Sequence, residues 1–222
     1  MRCSQLPKIA IIDYGLGNLF SIKQACIHAG LQATITASKS EILAANGVIL
    51  PGVGAFGDAM NALKRLDLVT LLKDFASTDK PIVGICLGMQ LLMNESYEFG
   101  IHKGLGIIEG VVLPFRKNGE TFRVKVPHIG WNQIFCSKES IPSWSNSLLQ
   151  GLPEGGFMYF VHSFYVEPNN SNVILSRTIY GEEEFCSSLK LGNISAFQYH
   201  PERSGKLGLR IYENLAGKLE SR

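Results

Sequence analysis

Residues 81–93 read Pro81-Ile82-Val83-Gly84-Ile85-Cys86-Leu87-Gly88-Met89-Gln90-Leu91-Leu92-Met93. Pro81–Cys86 is a short apolar run of the kind that forms a buried strand. Leu87–Met93 turns at once into a helical pattern. The same alternation runs upstream. Lys8–Asp13, Gln32–Thr36 and Gly47–Leu50 read as strands, the last ended by Pro51. Asn18–Ala29, Gly57–Leu66 and Leu68–Ser77 read as helices, and Gly30 closes the first as a C-cap. A β-α-β-α order of this kind predicts the α/β class, a mostly parallel central sheet flanked by helices.

Downstream of about Gly104 the pattern changes. Gly110–Pro114, Arg123–Val126, Trp131–Phe135, Gly156–Val161, Phe164–Glu167, Asn172–Ile179, Phe185–Leu189 and Ile194–Gln198 read as short strands. Several should pair antiparallel, adding a second sheet region. Ser137–Glu154 reads mostly as loop. Leu207, Ile211, Leu215 and Leu219 repeat every four residues, which predicts a terminal helix. No repeat or linker divides the chain, so residues 1–222 are expected to form a single domain.

Hydrophobic residues make up 45% and charged residues 18% of the 222. That composition suits a folded globular chain and excludes disorder. A net charge of +2 gives no basic field for nucleic acid or an anionic membrane. The five cysteines, Cys3, Cys26, Cys86, Cys136 and Cys186, are odd in number and widely spaced. They argue against a disulfide framework or zinc ribbon and for a reducing, cytoplasmic setting. Neither a signal peptide nor a membrane span is expected, and no metal or cofactor is called for.

Chemistry is written most sharply in Gly84-Ile85-Cys86-Leu87-Gly88. A nucleophile in a tight strand-to-helix turn needs minimal flanks two residues to either side. The helix start favours a thiolate, and the Leu87 N–H would face a developing oxyanion. A buried structural cysteine between chance glycines is the alternative. A base must accompany such a nucleophile, and its orienter with it. Among His28, His102, His128, His162 and His200, the last stands apart, since Pro201 lets Glu202 turn back toward its ring. His128 and His162 lie in polar-aromatic turns and could line a site. Pro51-Gly52-Val53-Gly54 follows a strand and suits the second half of an oxyanion hole. Gly52-Val53-Gly54-Ala55-Phe56-Gly57 formally matches a dinucleotide fingerprint. The acid that fingerprint requires at the end of the next strand is missing, because that strand ends in Cys86.

With these elements placed, the sequence resembles the class I (triad) glutamine amidotransferases, whose fold is flavodoxin-like. Within them it is similar to the glutaminase subunits of imidazole glycerol phosphate synthases. The blocks that carry the likeness are Asp13–Leu19, Pro51–Phe56, Gly84–Leu92, Pro127–Asn132, Tyr159–Ser163 and Phe197–Ser204. The resemblance implies a Cys86–His200–Glu202 triad that hydrolyses glutamine to glutamate and ammonia. It implies an oxyanion hole from Gly52, Val53, Gly54 and Leu87, and glutamine contacts from Gln90, His162 and Ser163. It further implies a heterodimer with a (β/α)₈ cyclase, faced by Asn18, Trp131, Asn132, Tyr159 and Arg203. That partner would use the ammonia to make imidazole glycerol phosphate and an aminoimidazole carboxamide ribotide in histidine biosynthesis. A paralogous group serving cell-surface sugar synthesis shares the chemistry. A stand-alone thiol hydrolase and a regulatory domain with an inert triad are the other readings. Residues 2–7, the stretch Asn94–Phe115 and a polar hairpin at Arg116–Arg123 depart from a minimal family member.

Overall fold

The computed structural model describes residues 6–115, 125–137 and 144–221. Its first half is the expected alternation: β1 (Lys8–Ile12), α1 (Leu19–His28), β2 (Gln32–Thr36), α2 (Lys39–Ala44), β3 (Gly47–Leu50), α3 (Phe56–Arg65), α4 (Val69–Ala76), β4 (Ile82–Ile85) and α5 (Leu87–Leu91). The second half adds β5 (Glu95–Ser96), β6 (His102–Lys103), β7 (Gly110–Pro114), β8 (His128–Cys136), β9 (Gly156–His162), β10 (Phe164–Pro168), β11 (Ile174–Tyr180), β12 (Glu183–Leu191), β13 (Ile194–Phe197) and α6 (Gly205–Glu220). The helix α2 escapes a sequence reading because its six residues bury only Ile42. The two-residue strands β5 and β6 are too short for any alternation to register.

Strands β2, β1, β3, β4 and β13 lie side by side and all parallel. The sheet then turns antiparallel through β12, β10 and β7, with β5 and β6 at the far edge. A branch leaves β12 through β11 to β8 and β9. Apolar side chains alternate between the two faces of β1. Ala10 and Ile12 join the core under α3 and α4, whereas Ile9 and Ile11 join the one under α1 and α6. This two-sided burial is why the parallel strands read as continuous apolar runs rather than alternating ones.

Ser137–Glu154 is loop as expected where it is described, but a buried one: Trp144, Leu148 and Leu149 lie in the α1–α6 core, and the Trp144 indole N–H donates to the Leu175 carbonyl at 2.8 Å. Two sequence expectations change. Strand β8 starts at His128 rather than Trp131; Gly130, at φ +136°, hides the continuity by breaking the β-forming pattern. The stretch from Asn172 begins with a 3₁₀ turn, Ser171–Val173, before β11. Arg116–Arg123, and the first half of the strand expected at Arg123–Val126, lie outside the described residues; Lys125 and Val126 are not in a strand.

One close approach fixes the central strands. A Cβ placed on Gly88 would stand 1.8 Å from the Leu50 carbonyl oxygen. The start of α5 therefore lies directly on the end of β3. Gly88→Ala is expected to cost at least ~3 kcal/mol of stability by overpacking backbone against backbone. In contrast, a Cβ on the exposed Gly217 of α6 meets nothing within 4 Å. Gly217→Ala should raise stability by about 0.5–1 kcal/mol, because alanine loses less backbone entropy on entering a helix. Urea melts of the two variants check both signs. Equal midpoints would overturn the packing account.

Candidate active site

Strand β4 runs between β3 and β13, all three parallel. Their carboxyl ends therefore open on one edge, where α/β sheets bind ligands. β3 leads into Pro51–Gly54, β4 into Cys86, and β13 into Gln198–Glu202. Sheet order alone thus assembles three segments far apart in sequence.

Cys86 sits at φ +53°, ψ −111°, a backbone conformation that L residues rarely hold, at the joint of β4 and α5. Its N–H donates to the Phe197 carbonyl at 2.7 Å, which ties the joint to the end of β13. A Cβ on Gly84 would meet backbone atoms of Gly88 and Met89 at 3.1 Å. Both flanking glycines are therefore demanded by space.

His200 Nδ1 lies 2.8 Å from Glu202 Oε1, and the two side chains are 4% and 0% exposed. The 3₁₀ turn Pro201–Arg203 brings the carboxylate back onto the ring. Burial by itself would lower the imidazole pKa. The charges of Cys86 and Glu202 outweigh it and hold His200 above its ordinary value, up to about 10. His200 Nε2 is buried and faces Cys86 without a well-aligned hydrogen bond. Such contacts commonly tighten only once substrate is present. The His200 N–H donates to the Tyr159 carbonyl at 2.9 Å. The Ser204 hydroxyl clamps the turn, donating to the His200 carbonyl at 2.6 Å and accepting from the Tyr159 N–H at 3.0 Å.

In front of Cys86 lies a cavity of about 290 Å³, lined among others by Val53, Gly54, Leu87, Gln90, Glu98, His162 and Ser163. Gly52 stands behind the cavity wall: a Cβ there would meet the Tyr14 hydroxyl at 2.5 Å and Leu87 Cβ at 2.8 Å. The Tyr14 hydroxyl also donates to the Pro51 carbonyl at 2.6 Å, anchoring the loop at its root. Glu98 reaches the cavity from the β5–β6 connection and accepts a hydrogen bond from the Phe56 N–H at the start of α3. No local signal in the sequence marks it; only the folded chain brings it to the same cavity as Cys86.

His162 belongs to a directional polar chain. Its Nδ1 donates to the Phe164 carbonyl at 2.8 Å, so its Nε2 accepts from His128 Nδ1 at 3.1 Å. His128 Nε2 in turn faces the Asn132 amide nitrogen at 3.4 Å. Burial lowers the pKa of His128 to about 4 and that of His162 to about 3. Both imidazoles are neutral at physiological pH, as the chain requires.

The residues expected to face a partner divide into two sets. Trp131 is 55% exposed and packs edge-on against Tyr159, with ring centroids 6.0 Å apart; the Arg203 guanidinium lies 4.5 Å from the Tyr159 ring. Asn18, half-buried, precedes α1. Asn132, next to Trp131 on β8, is half-buried. Side chains alternate along β8, and the Asn132 amide turns inward to the Ile179 carbonyl, at 2.9 Å, and to His128. His28 is exposed on α1, and the His102 ring packs on Gly57, within 3.3 Å of where its Cβ would stand; neither lines the cavity. Among the described residues, no group of three or more His, Cys, Asp or Glu could hold a metal ion.

Comparisons with known proteins bear on the family and the fold. The profile of the family "Glutamine amidotransferase class-I" matches residues 10–216. The chain is 45% identical over 216 residues to the imidazole glycerol phosphate synthase subunit HisH of Aquifex aeolicus, covering 96% of this chain and 98% of that one. It is 44% identical over 206 residues to the protein of the same name from Sulfurimonas denitrificans, covering 93% and 96%. Among solved structures, PurLQS from Thermotoga maritima aligns with a TM-score of 0.72 at 18% identity, covering 97% of this chain and 100% of that one. A crystal structure titled glutamine amidotransferase aligns at 0.69 and 18%, covering 94% and 98%. At that identity the structural likeness speaks for the fold.

The buried histidines set an acid dependence of stability. His128 and His162 have folded pKa values below the unfolded value of about 6.5, so the unfolded chain takes up protons first. The stability that rests on their neutral rings is complete above about pH 6.5 and is lost as pH falls toward their folded values. His200 has the opposite shift; its contribution is complete below that pH and fades only on the alkaline side. Urea midpoints should therefore decline between pH 6.5 and 5. A flat midpoint across that window would mean that the two rings are not held neutral.

Proposed function

The chain belongs to the class-I glutamine amidotransferase family, and from that premise we propose that it is the glutaminase subunit of an imidazole glycerol phosphate synthase. The observation that carries the chemistry is the meeting of Cys86, at the end of β4, with His200 and Glu202, after the end of the adjacent parallel β13, beside a cavity. With its proton already on His200 Nε2, in keeping with the raised pKa of that ring, Cys86 Sγ attacks the side-chain carbonyl carbon of glutamine. Gly52, Val53, Gly54 and Leu87 form the hole for the oxyanion, the Val53 and Leu87 N–H groups serving as its donors. His200 then protonates the departing nitrogen, and ammonia leaves a glutamyl thioester on Cys86. Water, deprotonated by His200, attacks the thioester and releases glutamate and the thiol. Glu202 holds the ring and stabilises the imidazolium throughout. Gln90 and Ser163 contact glutamine, and Glu98 offers a carboxylate for its ammonium group. His162 shapes the cavity wall, its ring nitrogens being already engaged.

The partner is a (β/α)₈ cyclase that takes the ammonia for histidine biosynthesis. It docks on the outer face of β8 and β9, where Trp131, Tyr159 and Arg203 lie. What supports this is the position of β9: its Tyr159 carbonyl accepts from the His200 N–H, and its Val161 carbonyl faces Cys86 Sγ at 3.7 Å. A partner pressing on β9 therefore acts on base and nucleophile together. The pair of glycines in Pro51–Gly54 lets the oxyanion loop change state at low backbone cost. The chain works as one glutaminase domain in the cytoplasm, in keeping with the thiols at Cys26, Cys86 and Cys186, none of them in a disulfide.

Cys86→Ala is expected to lower glutamine hydrolysis by orders of magnitude. Free ammonia supplied to the complex should bypass the lesion, because the partner's chemistry does not use the thiol. Near-normal hydrolysis by Cys86→Ala would refute the triad. The purified chain alone should hydrolyse glutamine about 10²–10³-fold more slowly than with its partner and the partner's substrate analogue, the cost of an incomplete oxyanion hole. A lone chain already at full rate would favour the stand-alone hydrolase.

A further inference from the structure

Gln198 is fully buried immediately after β13, and no step above uses it. Its side chain touches two groups that matter. Gln90 Nε2 donates to Gln198 Oε1 at 3.1 Å, and Gln198 Nε2 donates to Cys86 Sγ at 3.7 Å. The orientation of both amides follows from one carbonyl. Phe164 O can only accept, and Gln90 Nε2 lies 3.0 Å from it, so the nitrogen of Gln90 must be on that side. The Gln198 atom that meets the same nitrogen is then its oxygen, and its own nitrogen is left for the sulfur. The polar chain through His162 ends on the same Phe164 carbonyl.

We infer that Gln198 is a positioning residue with two tasks: it holds the Gln90 amide with its oxygen toward the cavity, and it donates a hydrogen bond that favours the thiolate of Cys86. The first task follows from exhaustion of partners. With Nε2 committed to Phe164 and Gln198, Gln90 presents only its carbonyl oxygen to the cavity it lines. An amide free to flip would present a donor half the time and repel a substrate ammonium. The second task follows from charge. An N–H aimed at sulfur is worth more to a thiolate than to a thiol, so it lowers the cost of the attacking form. Strand geometry makes the placement rigid. Phe197, the preceding residue, accepts from the Cys86 N–H, and the Gln198 N–H donates to the Ser187 carbonyl at 2.9 Å.

This inference rests on the glutaminase reading, and two variants separate its failure from failure of that reading. Gln198→Met removes donor and acceptor with little change in volume; Gln198→Glu keeps an acceptor for Gln90 but removes the amide donor. Each is assayed in the full chain bound to its cyclase partner, with thermal melts to verify folding. Alkylation by iodoacetamide is followed at the Cys86 peptide by mass spectrometry. Gln198→Met should slow Cys86 alkylation and lower kcat, each by about ten-fold, the usual worth of a hydrogen bond to a charged group, and it should raise KM for glutamine. Gln198→Glu should lower kcat and alkylation at least as much while leaving KM closer to that of the unaltered chain. A merely structural role would move melting temperature without this split between kcat and KM. If a folded Gln198→Met chain alkylates and turns over like the unaltered one, Gln198 has neither task. If the unaltered complex fails to hydrolyse glutamine, the functional reading falls, while the alkylation comparison still tests the Gln198–Cys86 contact.

Discussion

Everything at the site depends on how closely the start of α5 lies against the end of β3. Only hydrogen on Gly88 fits beside the Leu50 carbonyl, since a Cβ would stand 1.8 Å from it. That contact brings the nucleophile's helix within reach of the Pro51–Gly54 loop. Gly52 repeats the demand from the other side, against Tyr14 and Leu87. The elbow is thus held on the end of β3 by backbone contact, and the Pro51–Gly54 loop is held against it by the Tyr14 hydroxyl and Leu87 Cβ. The strained φ of +53° at Cys86 is maintained by its neighbours: the Phe197 carbonyl accepts its N–H on one side and the α5 turn closes the other.

Around this rigid centre the polar groups form a continuous system rather than isolated pairs. From Asn132 it runs through His128 and His162 to the Phe164 carbonyl, and from there through Gln90 and Gln198 to Cys86. Each member is buried or half-buried, so each missing bond would carry a desolvation penalty of about 1–3 kcal/mol. Burial keeps the two imidazoles neutral, and neutrality lets each ring donate at one nitrogen and accept at the other. The same burial pulls His200 down too, but there the interactions with Cys86 and Glu202 outweigh it and raise the ring's basicity. One physical effect, desolvation, therefore gives opposite outcomes according to the charge that accompanies it.

Strand β9 joins the interior to the surface. Period-two alternation places Phe160 and His162 inward and Tyr159 and Val161 outward. Its carbonyls at Tyr159 and Val161 meet the His200 N–H and Cys86 Sγ, while the Tyr159 ring lies with Trp131 and Arg203 outside. A surface contact and a catalytic contact are therefore made by one residue.

The sequence by itself determined whatever depends on near neighbours along the chain. The apolar runs of β1, β3 and β4, the glycines beside Cys86, the His200-Pro201-Glu202 turn and the four-residue rhythm of α6 are local patterns, and local sterics decide them. Family blocks then named the triad, the loop and the surface aromatics. What only the tertiary structure decided involves partners far apart. Gln198 meets Gln90 and Cys86 across 108 and 112 residues, and Glu98 caps α3 across 42; no periodicity records such pairings. The inward turn of Asn132 was hidden because its neighbour Gly130 obscured where β8 begins, and the register decides which face a residue takes. Trp144, Leu148 and Leu149 sit in a stretch rich in turn-forming residues, yet they are buried, because the core between α1 and α6 needed apolar volume that the helices alone did not supply.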